Sequence, residues 1–450
     1  MESKGIEQPL IMRLPKRDFN KIKNNLSSEV LYSNIIAQPE FNMGFHCFIH
    51  RTKNYMNITK SLSIKDKFYY IVNPYESDDE LLKQVSEFLN IKDKTPEILS
   101  RAFFKMWEMI FVFNLAEGDK LSYSALAEGP GAFLQSVLHY RKKYHSIKSD
   151  KYNSITINPE EGKNIDVSRS FLGYYAEENP DLIIPHKTYK SSVAKKYKSR
   201  DNGDLTDFKT ISNFRKEVKK GKQFSKLVSA DGGFAWIDEN YQEQEAYPLV
   251  IGQILSGLMV QDKNGHMVVK LFETFTKISL KLINLMCSMY DEVYMYKPYF
   301  SRVSNSERYL VCKGFKFDQK KDKKTLDVIY SDLEKILKQF DTNKYIVDIF
   351  DKIELDNEFL NPIRVFNIQV ANKQQAMINN IVAYIKGNNY FGDKYHGYLE
   401  EHKKALKYWV EHFLPEKSEL KKAQEKWNKN VKKVLDHQKD EVEILKDFYN

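Results

Sequence analysis

Short apolar runs alternate with helical spacings between about residues 120 and 320. The runs are "YSALAE" (123–128), "NSITIN" (153–158), "KLVSAD" (226–231), "HMVVKLF" (266–272), "EVYMYKP" (292–298) and "RYLVCKGFKF" (308–317). Runs that are apolar on both faces are typical of buried parallel strands, and the helices between them cover both faces of the sheet. The pattern therefore predicts an α/β fold with a doubly wound, mostly parallel sheet.

The chain on either side of this region has a different pattern. Residues 1–95 contain mixed short patterns, and helical apolar spacing extends from Asp79 to Leu115. Residues 321–450 have amphipathic helical spacing, and the last thirty of them mix charges of both signs. Such a charged helix indicates a solvent-exposed element or an arm that binds a protein partner. We expect mainly helical accessory regions at both ends (1–95 and 321–450) around a central domain (96–320).

Composition excludes several classes of protein. The 450 residues contain three cysteines, which lie far apart, and no apolar run of about 18 residues. A disulfide framework, a cysteine zinc site and a membrane span are therefore not predicted, and a reducing compartment, cytoplasm or nucleus, fits the cysteine usage. The abundance of Lys, Asn, Ile and Tyr suggests an AT-rich coding genome, either of an AT-rich organism or of a large cytoplasmic DNA virus.

Positive charge is concentrated in one segment. The net charge is +9, and residues 141–226 contain 20 Lys and Arg against 11 Asp and Glu. The stretches "KKYKSR" (195–200) and "FRKEVKKGKQFSK" (214–226) favour a polyanion partner whose phosphates they would contact. A solvated basic face without a partner is the alternative.

The stretch "LAEGPGAFLQSVL" (126–138) joins the first predicted strand of the sheet to a helix. Gly129 and Gly131 let the chain turn sharply and approach a ligand, while Pro130 stiffens the turn. Open α/β sheets bind ligands at this edge, where the helix N-terminus presents free N–H groups. Glu128 would repel a pyrophosphate but attract a sulfonium or an amino group, which favours S-adenosylmethionine over a dinucleotide. An ordinary strand-to-helix turn is the alternative.

Six motifs occur in a fixed order. They are "SRAFFKMWEM" (100–109), "AEGPGAF" (127–133), "GDLTDF" (203–208), "SADGGF" (229–234), "MVVKLFETF" (267–275) and "KPYFSRVSNSERYLVCKGF" (297–315). As a set they resemble the FtsJ-like (RrmJ-type) ribose 2′-O-methyltransferases over about residues 95–320. The "ADGGF" and "NSERYLVCKGF" details are most similar to the eukaryotic and viral enzymes that methylate the mRNA cap.

The resemblance implies the residues of the site. It places a catalytic tetrad on Lys105, Asp231, Lys270 and Glu307. It also implies an S-adenosylmethionine site formed by Glu128, Gly129, Pro130, Gly131, Ala132, Phe133, Asn158, Asp204 and Asp231. Asn158 stands where many methyltransferases carry an acidic residue that holds the ribose, and Glu160 is the alternative there.

A ribose hydroxyl is a poor nucleophile at neutral pH, and an amine with a lowered pKa can take its proton. We expect burial and the nearby Lys105 to lower the pKa of Lys270, while Asp231 and Glu307 orient the two amines. This chemistry requires no metal. Candidate RNA contacts, just before Glu307, are Lys297, Arg302, Ser304 and Asn305.

The sequence thus favours an S-adenosylmethionine-dependent RNA ribose 2′-O-methyltransferase that acts on the first transcribed nucleotide of capped mRNA. Two alternatives stay open. One is a methyltransferase for ribosomal or transfer RNA, which would use the same tetrad. The other is a non-catalytic RNA-binding subunit that retains the fold.

Overall fold

A central β-sheet of eight strands organises the computed structural model, which describes residues 9–39, 43–62, 70–91, 96–157, 183–185, 203–220, 223–233, 237–340, 344–387 and 391–449. The strands of this sheet are β1 (Leu10–Arg13), β3 (Ser122–Leu126), β4 (Lys151–Ile155), β5 (Ile183–Pro185), β6 (Ser225–Ala230), β7 (Gln261–Leu271), β8 (Tyr290–Lys297) and β9 (Arg308–Phe315). A separate two-stranded sheet pairs β2 (Val30–Ser33) with β10 (Tyr345–Ile349).

The strand order is β1-β8-β9-β7-β6-β3-β4-β5. The pairs β3–β4, β4–β5, β3–β6 and β6–β7 are parallel, whereas β7–β9, β8–β9 and β1–β8 are antiparallel. The chain runs outward through β3, β4 and β5, and then returns to the other side of β3 with β6. Strand order therefore reverses at β3, and the carboxyl ends of β3 and β6 flank the ligand crevice expected of such sheets.

Helices cover both faces of this sheet. They are α1 (Phe19–Asn24), α2 (Met43–Asn54), α3 (Asp79–Phe88), α4 (Ala102–Phe113), α5 (Ala132–Tyr144), α6 (Phe208–Lys220), α7 (Gln242–Glu245), α8 (Tyr247–Val260), α9 (Lys277–Met289), α10 (Lys323–Lys338), α11 (Asn357–Lys386), α12 (Asp393–Phe413) and α13 (Leu420–Tyr449). Short 3₁₀ turns lie at Tyr55–Ser61, Glu239–Tyr241 and Lys417–Glu419.

Two apolar cores lie on opposite faces of the sheet. One packs α6, α8, α9, α10 and the first half of α11 against the strands, and the other packs α3, α4, α5 and α12 on the opposite side. All five residues of β3 are buried, because this central strand is covered from both sides. The predicted doubly wound, mostly parallel α/β fold with helical additions is confirmed.

Packing crosses both of the boundaries that the sequence pattern suggests. Leu10–Arg13 adds the antiparallel strand β1 next to β8. On the C-terminal side, the indole N–H of Trp107 in α4 donates to the carbonyl of Phe413 in α12 (2.7 Å). The division at residues 95 and 320 is therefore a change in sequence pattern, and its functional meaning stays a prediction. Among the described residues, no helix is both long enough and apolar enough to cross a membrane.

Candidate active site

The turn after β3 brings an acidic side chain to the start of α5. Gly131 has φ of 111°, a left-handed conformation that favours glycine, and α5 begins at the next residue. The Glu128 carboxylate accepts hydrogen bonds from the backbone N–H groups of Phe133 (2.9 Å) and Leu134 (3.1 Å). Glu128 therefore caps the helix that the sequence expects to face a ligand.

Burial, together with the nearby Asp231 carboxylate, raises the pKa of Glu128 to about 8 against the two backbone hydrogen bonds. The backbone N–H of Asp231, just after β6, donates to the carbonyl of Leu126 at the end of β3 (3.4 Å), so the two strand ends lie side by side. A positively charged group bound in this crevice would favour the ionised form of Glu128.

A second loop closes the crevice beside β4. A Cβ on Gly203 would lie 2.0 Å from the carbonyl oxygen of Thr156, so this position needs glycine for its close approach. One carboxylate oxygen of Asp204 accepts from the backbone N–H and the hydroxyl of Thr206, both at 2.8 Å. The loop thus holds Asp204 just beyond the carboxyl end of β4. The predicted contact Asn158, with its alternative Glu160, lies outside the described residues.

Four charged side chains from separate parts of the chain meet at the same edge of the sheet. The Lys105 amine lies 2.7 Å from Glu307 Oε1, and the Lys270 amine lies 3.1 Å from Asp231 Oδ1. Lys270 also donates to the Asp231 backbone carbonyl at 2.8 Å. Between 10 and 17% of each of these side chains is exposed, so the group is mostly buried yet open to the crevice.

The two ion pairs interact. Burial alone would raise the pKa of Glu307, but Lys105 and Lys270 together hold it well below its usual range. Burial alone would lower the pKa of Lys270, because it disfavours the charged amine. The carboxylates of Asp231 and Glu307 outweigh burial, so the pKa of Lys270 is raised. Because Glu307 interacts with Lys270 as well as with its own partner Lys105, the two ion pairs form one electrostatic unit.

The expectation that Lys270 has a lowered pKa is therefore wrong for this structure. The reason is geometric, because Glu307 neutralises Lys105 and leaves little net repulsion on Lys270. Two carboxylates stabilise the Lys270 ammonium instead of a neighbouring cation destabilising it.

Local structure explains why these residues converge. Lys105 projects from α4, Asp231 follows β6, Lys270 is the penultimate residue of β7 and Glu307 precedes β9. In the antiparallel pairing of β7 with β9, Lys270 stands opposite Tyr309. Parallel strands end at the same edge of a sheet, so side chains that follow them meet there.

Tyr309 is part of this site although the sequence interpretation did not select it. Its hydroxyl donates to Asp231 Oδ1 at 2.8 Å. Its ring lies 6.1 Å from that of Phe133, between centroids, and so connects the tetrad to the start of α5. The signal in the sequence was its position at the start of the predicted strand that directly follows Glu307.

The structure places Lys297 beneath the loop 298–307 and not on its surface. Only 5% of Lys297 is exposed. Its amine donates to the Asn305 carbonyl (2.9 Å), the Asn305 side chain (3.1 Å), the Ser301 hydroxyl (3.1 Å) and the Glu307 carbonyl (2.7 Å). Burial lowers the pKa of Lys297 well below its usual range. Its observed role is to hold the loop that presents Glu307, which differs from the expected direct contact with RNA.

Arg302 forms a second charged group beside the tetrad. Its guanidinium binds the Glu76 carboxylate through Nε and Nη2, both at 2.9 Å, and lies 3.8 Å from the ring centroid of Tyr70. Arg101 binds the same carboxylate at 2.9 Å. Sequence reasoning missed Arg101 and Glu76. Arg101 precedes Lys105 by four residues, the spacing that puts two side chains on one face of a helix.

The other two candidate RNA contacts lie on the same loop. Ser304 is partly exposed, and its carbonyl accepts from the Gln374 side chain of α11 at 3.0 Å. Asn305 is also partly exposed and is fixed from below by Lys297. The loop is therefore anchored on both sides while its outer surface stays accessible.

Comparison with known proteins supports the resemblance seen in the motifs. The sequence model of the family described as FtsJ-like methyltransferase matches residues 98–315. The Caenorhabditis elegans protein "Cap-specific mRNA (nucleoside-2′-O-)-methyltransferase 1" is 33% identical over 310 residues, which cover 66% of this chain and 30% of that protein. The protein of the same name from Mus musculus is 35% identical over 245 residues, covering 48% of this chain and 26% of that protein.

A third relative carries a different description. The Caenorhabditis briggsae protein "Inactive cap-specific mRNA (nucleoside-2′-O-)-methyltransferase 1B" is 28% identical over 305 residues, covering 66% of this chain and 33% of that protein. The chain thus spans about a third or less of the length of these curated relatives. Residues 98–315, which carry the crevice and the four converging side chains, match the sequence model of the FtsJ-like methyltransferase family.

Proposed function

We propose that this chain is an S-adenosylmethionine-dependent RNA ribose 2′-O-methyltransferase that methylates the first transcribed nucleotide of capped mRNA. The observation that carries the proposal is the convergence of Lys105, Asp231, Lys270 and Glu307 beside the crevice beyond Gly131. Two amines and two acids in this arrangement suit the activation of a hydroxyl next to a methyl donor.

The residues of the crevice fit S-adenosylmethionine. The donor, when bound, supplies the methyl group and its own leaving group. Gly129, Pro130 and Gly131 would line its path, with Ala132 and Phe133 at the start of α5. Glu128 would offer a carboxylate to its positive charge, and Asp204, held by Thr206, would face its adenosine end. The buried carboxyl of Glu128, which a positively charged ligand would ionise and a pyrophosphate would not, supports this assignment over a dinucleotide.

Lys270 would hold the ribose 2′-oxygen and receive its proton. Asp231 positions the amine from one side, and Tyr309 fixes the Asp231 carboxylate through its hydroxyl. Because the pKa of Lys270 is raised, the amine must first lose its own proton before it can accept one from the ribose. The pair of Lys105 with Glu307 would stabilise the charge that shifts during this transfer.

The loop 298–307 would contact the RNA backbone. Arg302 would bind a phosphate, and Ser304 and Asn305 would bind phosphate or ribose oxygens. Lys297 would act by positioning this loop, since its amine is used beneath it. The basic helix α6 would extend the track, whereas the stretch 195–200 lies outside the described residues.

The choice of capped mRNA rests on the names of the relatives and on the "ADGGF" and "NSERYLVCKGF" motifs. A ribosomal or transfer RNA substrate is the alternative, because the tetrad would serve it equally. The name of one relative shows that the domain also occurs in an inactive protein. The complete tetrad, with both ion pairs formed, supports catalysis in this chain.

We also propose a binding role for the C-terminal helical region. The charged helix α13 exposes residues of both signs, which suits a protein partner better than RNA. A capped mRNA substrate places the chain inside the cell, in the nucleus or the cytoplasm. The suggestion of an AT-rich or viral genome stays a prediction.

The test is a methyl-transfer assay with radiolabelled S-adenosylmethionine and three short RNAs of one sequence. One carries a methylguanosine cap, one a 5′ triphosphate and one a 5′ hydroxyl. We expect transfer to the capped RNA alone, and none with Lys270→Met. Equal transfer to all three RNAs would favour the ribosomal or transfer RNA alternative. RNA binding without any transfer would favour the non-catalytic one.

A further inference from the structure

A cluster of two histidines and a glutamate lies between helix α2 and the end of β7. His46 and His50 are four residues apart on α2 and share one face, with their ring centroids 3.8 Å apart. Glu273 follows β7, two residues after its last residue. One potential ligand atom from each of the three lies within 4.8 Å of the other two.

One ring nitrogen in this cluster has no partner. His46 is 6% exposed, and its Nε2 has no hydrogen-bond partner among the described residues. This atom lies 3.9 Å from Glu273 Oε2, and the Nε2 of His50 lies 3.2 Å from the same oxygen. A buried polar atom without a hydrogen-bond partner is unfavourable, so an unpaired nitrogen aimed at a carboxylate points to a missing group between them.

The second oxygen of Glu273 is already occupied. Lys53, one turn beyond His50 on α2, places its amine 3.0 Å from Glu273 Oε1 and also donates to the carbonyl of Glu239. Glu273 therefore presents only Oε2 to the histidines. Arg308 also acts on Glu273 electrostatically. These two cations limit the affinity of the site for another cation.

We propose that His46, His50 and Glu273 bind a divalent transition metal, best matched by Zn²⁺, which fastens helix α2 to the end of β7. Imidazole nitrogen favours Zn²⁺ over Mg²⁺ or Ca²⁺. Ligand atoms about 2.1 Å from a tetrahedral Zn²⁺ are about 3.4 Å apart, so a small contraction of the cluster gives three ligands with a fourth position for water. The site is separate from the tetrad, and its proposal stands without the proposed function.

The test uses the full chain after treatment with a chelator. Calorimetric titration with Zn²⁺ should show one site per chain, and Co²⁺ in its place should give the absorption of a tetrahedral complex. His46→Gln and His50→Gln should each weaken Zn²⁺ binding about tenfold or more. The matched control is His396→Gln, which changes an exposed histidine of α12 and should leave binding unaltered.

A second measurement guards against variants that fail to fold. Zn²⁺ should raise the melting temperature of the stripped wild-type chain. It should leave that of His46→Leu unchanged, since this variant keeps a buried apolar side chain but lacks the ligand. Absence of Zn²⁺ binding by the wild type, or undiminished binding by His46→Leu and His50→Gln, would overturn the proposal.

Discussion

Two buried ionic groups in this protein differ in one instructive respect. Arg141 and Asp150 are paired at 2.9 Å, and neither side chain is exposed. The Arg141 guanidinium donates five hydrogen bonds. Two go to the carboxylate oxygens of Asp150, and three go to the backbone carbonyls of Ala116, Gly118 and Ser146. In the tetrad, by contrast, every side chain keeps 10–17% of its surface exposed.

The comparison separates a structural ion pair from the group that we propose is catalytic. Arg141 joins α5 to the start of β4, far from the carboxyl edge, and its hydrogen bonds are saturated within the protein. The tetrad lies at the carboxyl edge, where Lys270 and Lys105 can exchange a protein partner for a substrate. Burial of charge alone therefore does not mark an active site, whereas buried charge with residual exposure at this edge does.

The largest expected effect is on methyl transfer, after a change in the partly exposed tetrad. Lys270→Met should lower kcat/KM for capped RNA about 10²–10⁴-fold, because the amine proposed to hold the ribose oxygen is lost. Steady-state methyl transfer measures the change. Lys323→Met, which removes an exposed lysine paired with Asp327 on α10, is the matched control and should retain activity. An equal loss of kcat/KM in the two variants would contradict a special role for the tetrad lysine.

The complementary change is made in the fully buried pair Arg141–Asp150. Arg141→Met should lower the free energy of unfolding by about 3–5 kcal/mol, because it leaves the Asp150 carboxylate buried without its cation. Asp150 would keep only its bonds from Leu121 N–H and the Tyr152 hydroxyl. Urea denaturation gives the value. A loss below about 1 kcal/mol, the range of a surface pair, would show that Arg141–Asp150 is not the anchor described here.

The pH dependence sharpens the assignment of Lys270. Its pKa is raised above the ordinary lysine value, so the neutral amine is scarce near neutrality and increases with pH. We expect log kcat/KM to rise with pH through pH 9 without a plateau, since kcat/KM reports groups of the free enzyme. A plateau reached near pH 7 would instead mean that the pKa is lowered, as the sequence alone suggests.

The smallest effect concerns the donor. The pKa of Glu128 is about 8, so its carboxyl is mostly protonated at pH 7 and ionised at pH 9. If the ionised form attracts the sulfonium, the affinity for S-adenosylmethionine should rise about tenfold between those pH values. Glu128→Gln keeps an oxygen for the helix cap and should abolish the rise in calorimetric titrations. An identical pH response in that variant would remove Glu128 from the donor site.

Much of the fold was predictable from local pattern. The runs around Ser124, Val228 and Val268 are buried on both faces, and the motif residues follow directly at their ends. Once the sheet is parallel, its geometry brings Asp231 and Lys270 to one edge without further information. The resemblance of the motifs added Lys105 and Glu307, whose meeting depends on a helix and on an antiparallel strand.

Other features depend on distances that no local pattern contains. The pKa of Lys270 follows from which acid neutralises Lys105. Lys297 looks like an exposed lysine after an apolar run, and only the folded loop shows four acceptors around its amine. His46 and Glu273 are far apart in sequence, so their approach was not predictable from spacing.

The central claim is that the methyl group goes to the 2′-oxygen of the first transcribed nucleotide. The most direct measurement compares two capped RNAs that differ only there, one with ribose and one with 2′-deoxyribose, using mass spectrometry of the digested products. The account predicts one added methyl group on the first nucleotide of the ribose RNA and none on the deoxy RNA. Methylation of the deoxy RNA, or a ribose RNA modified elsewhere, would contradict it.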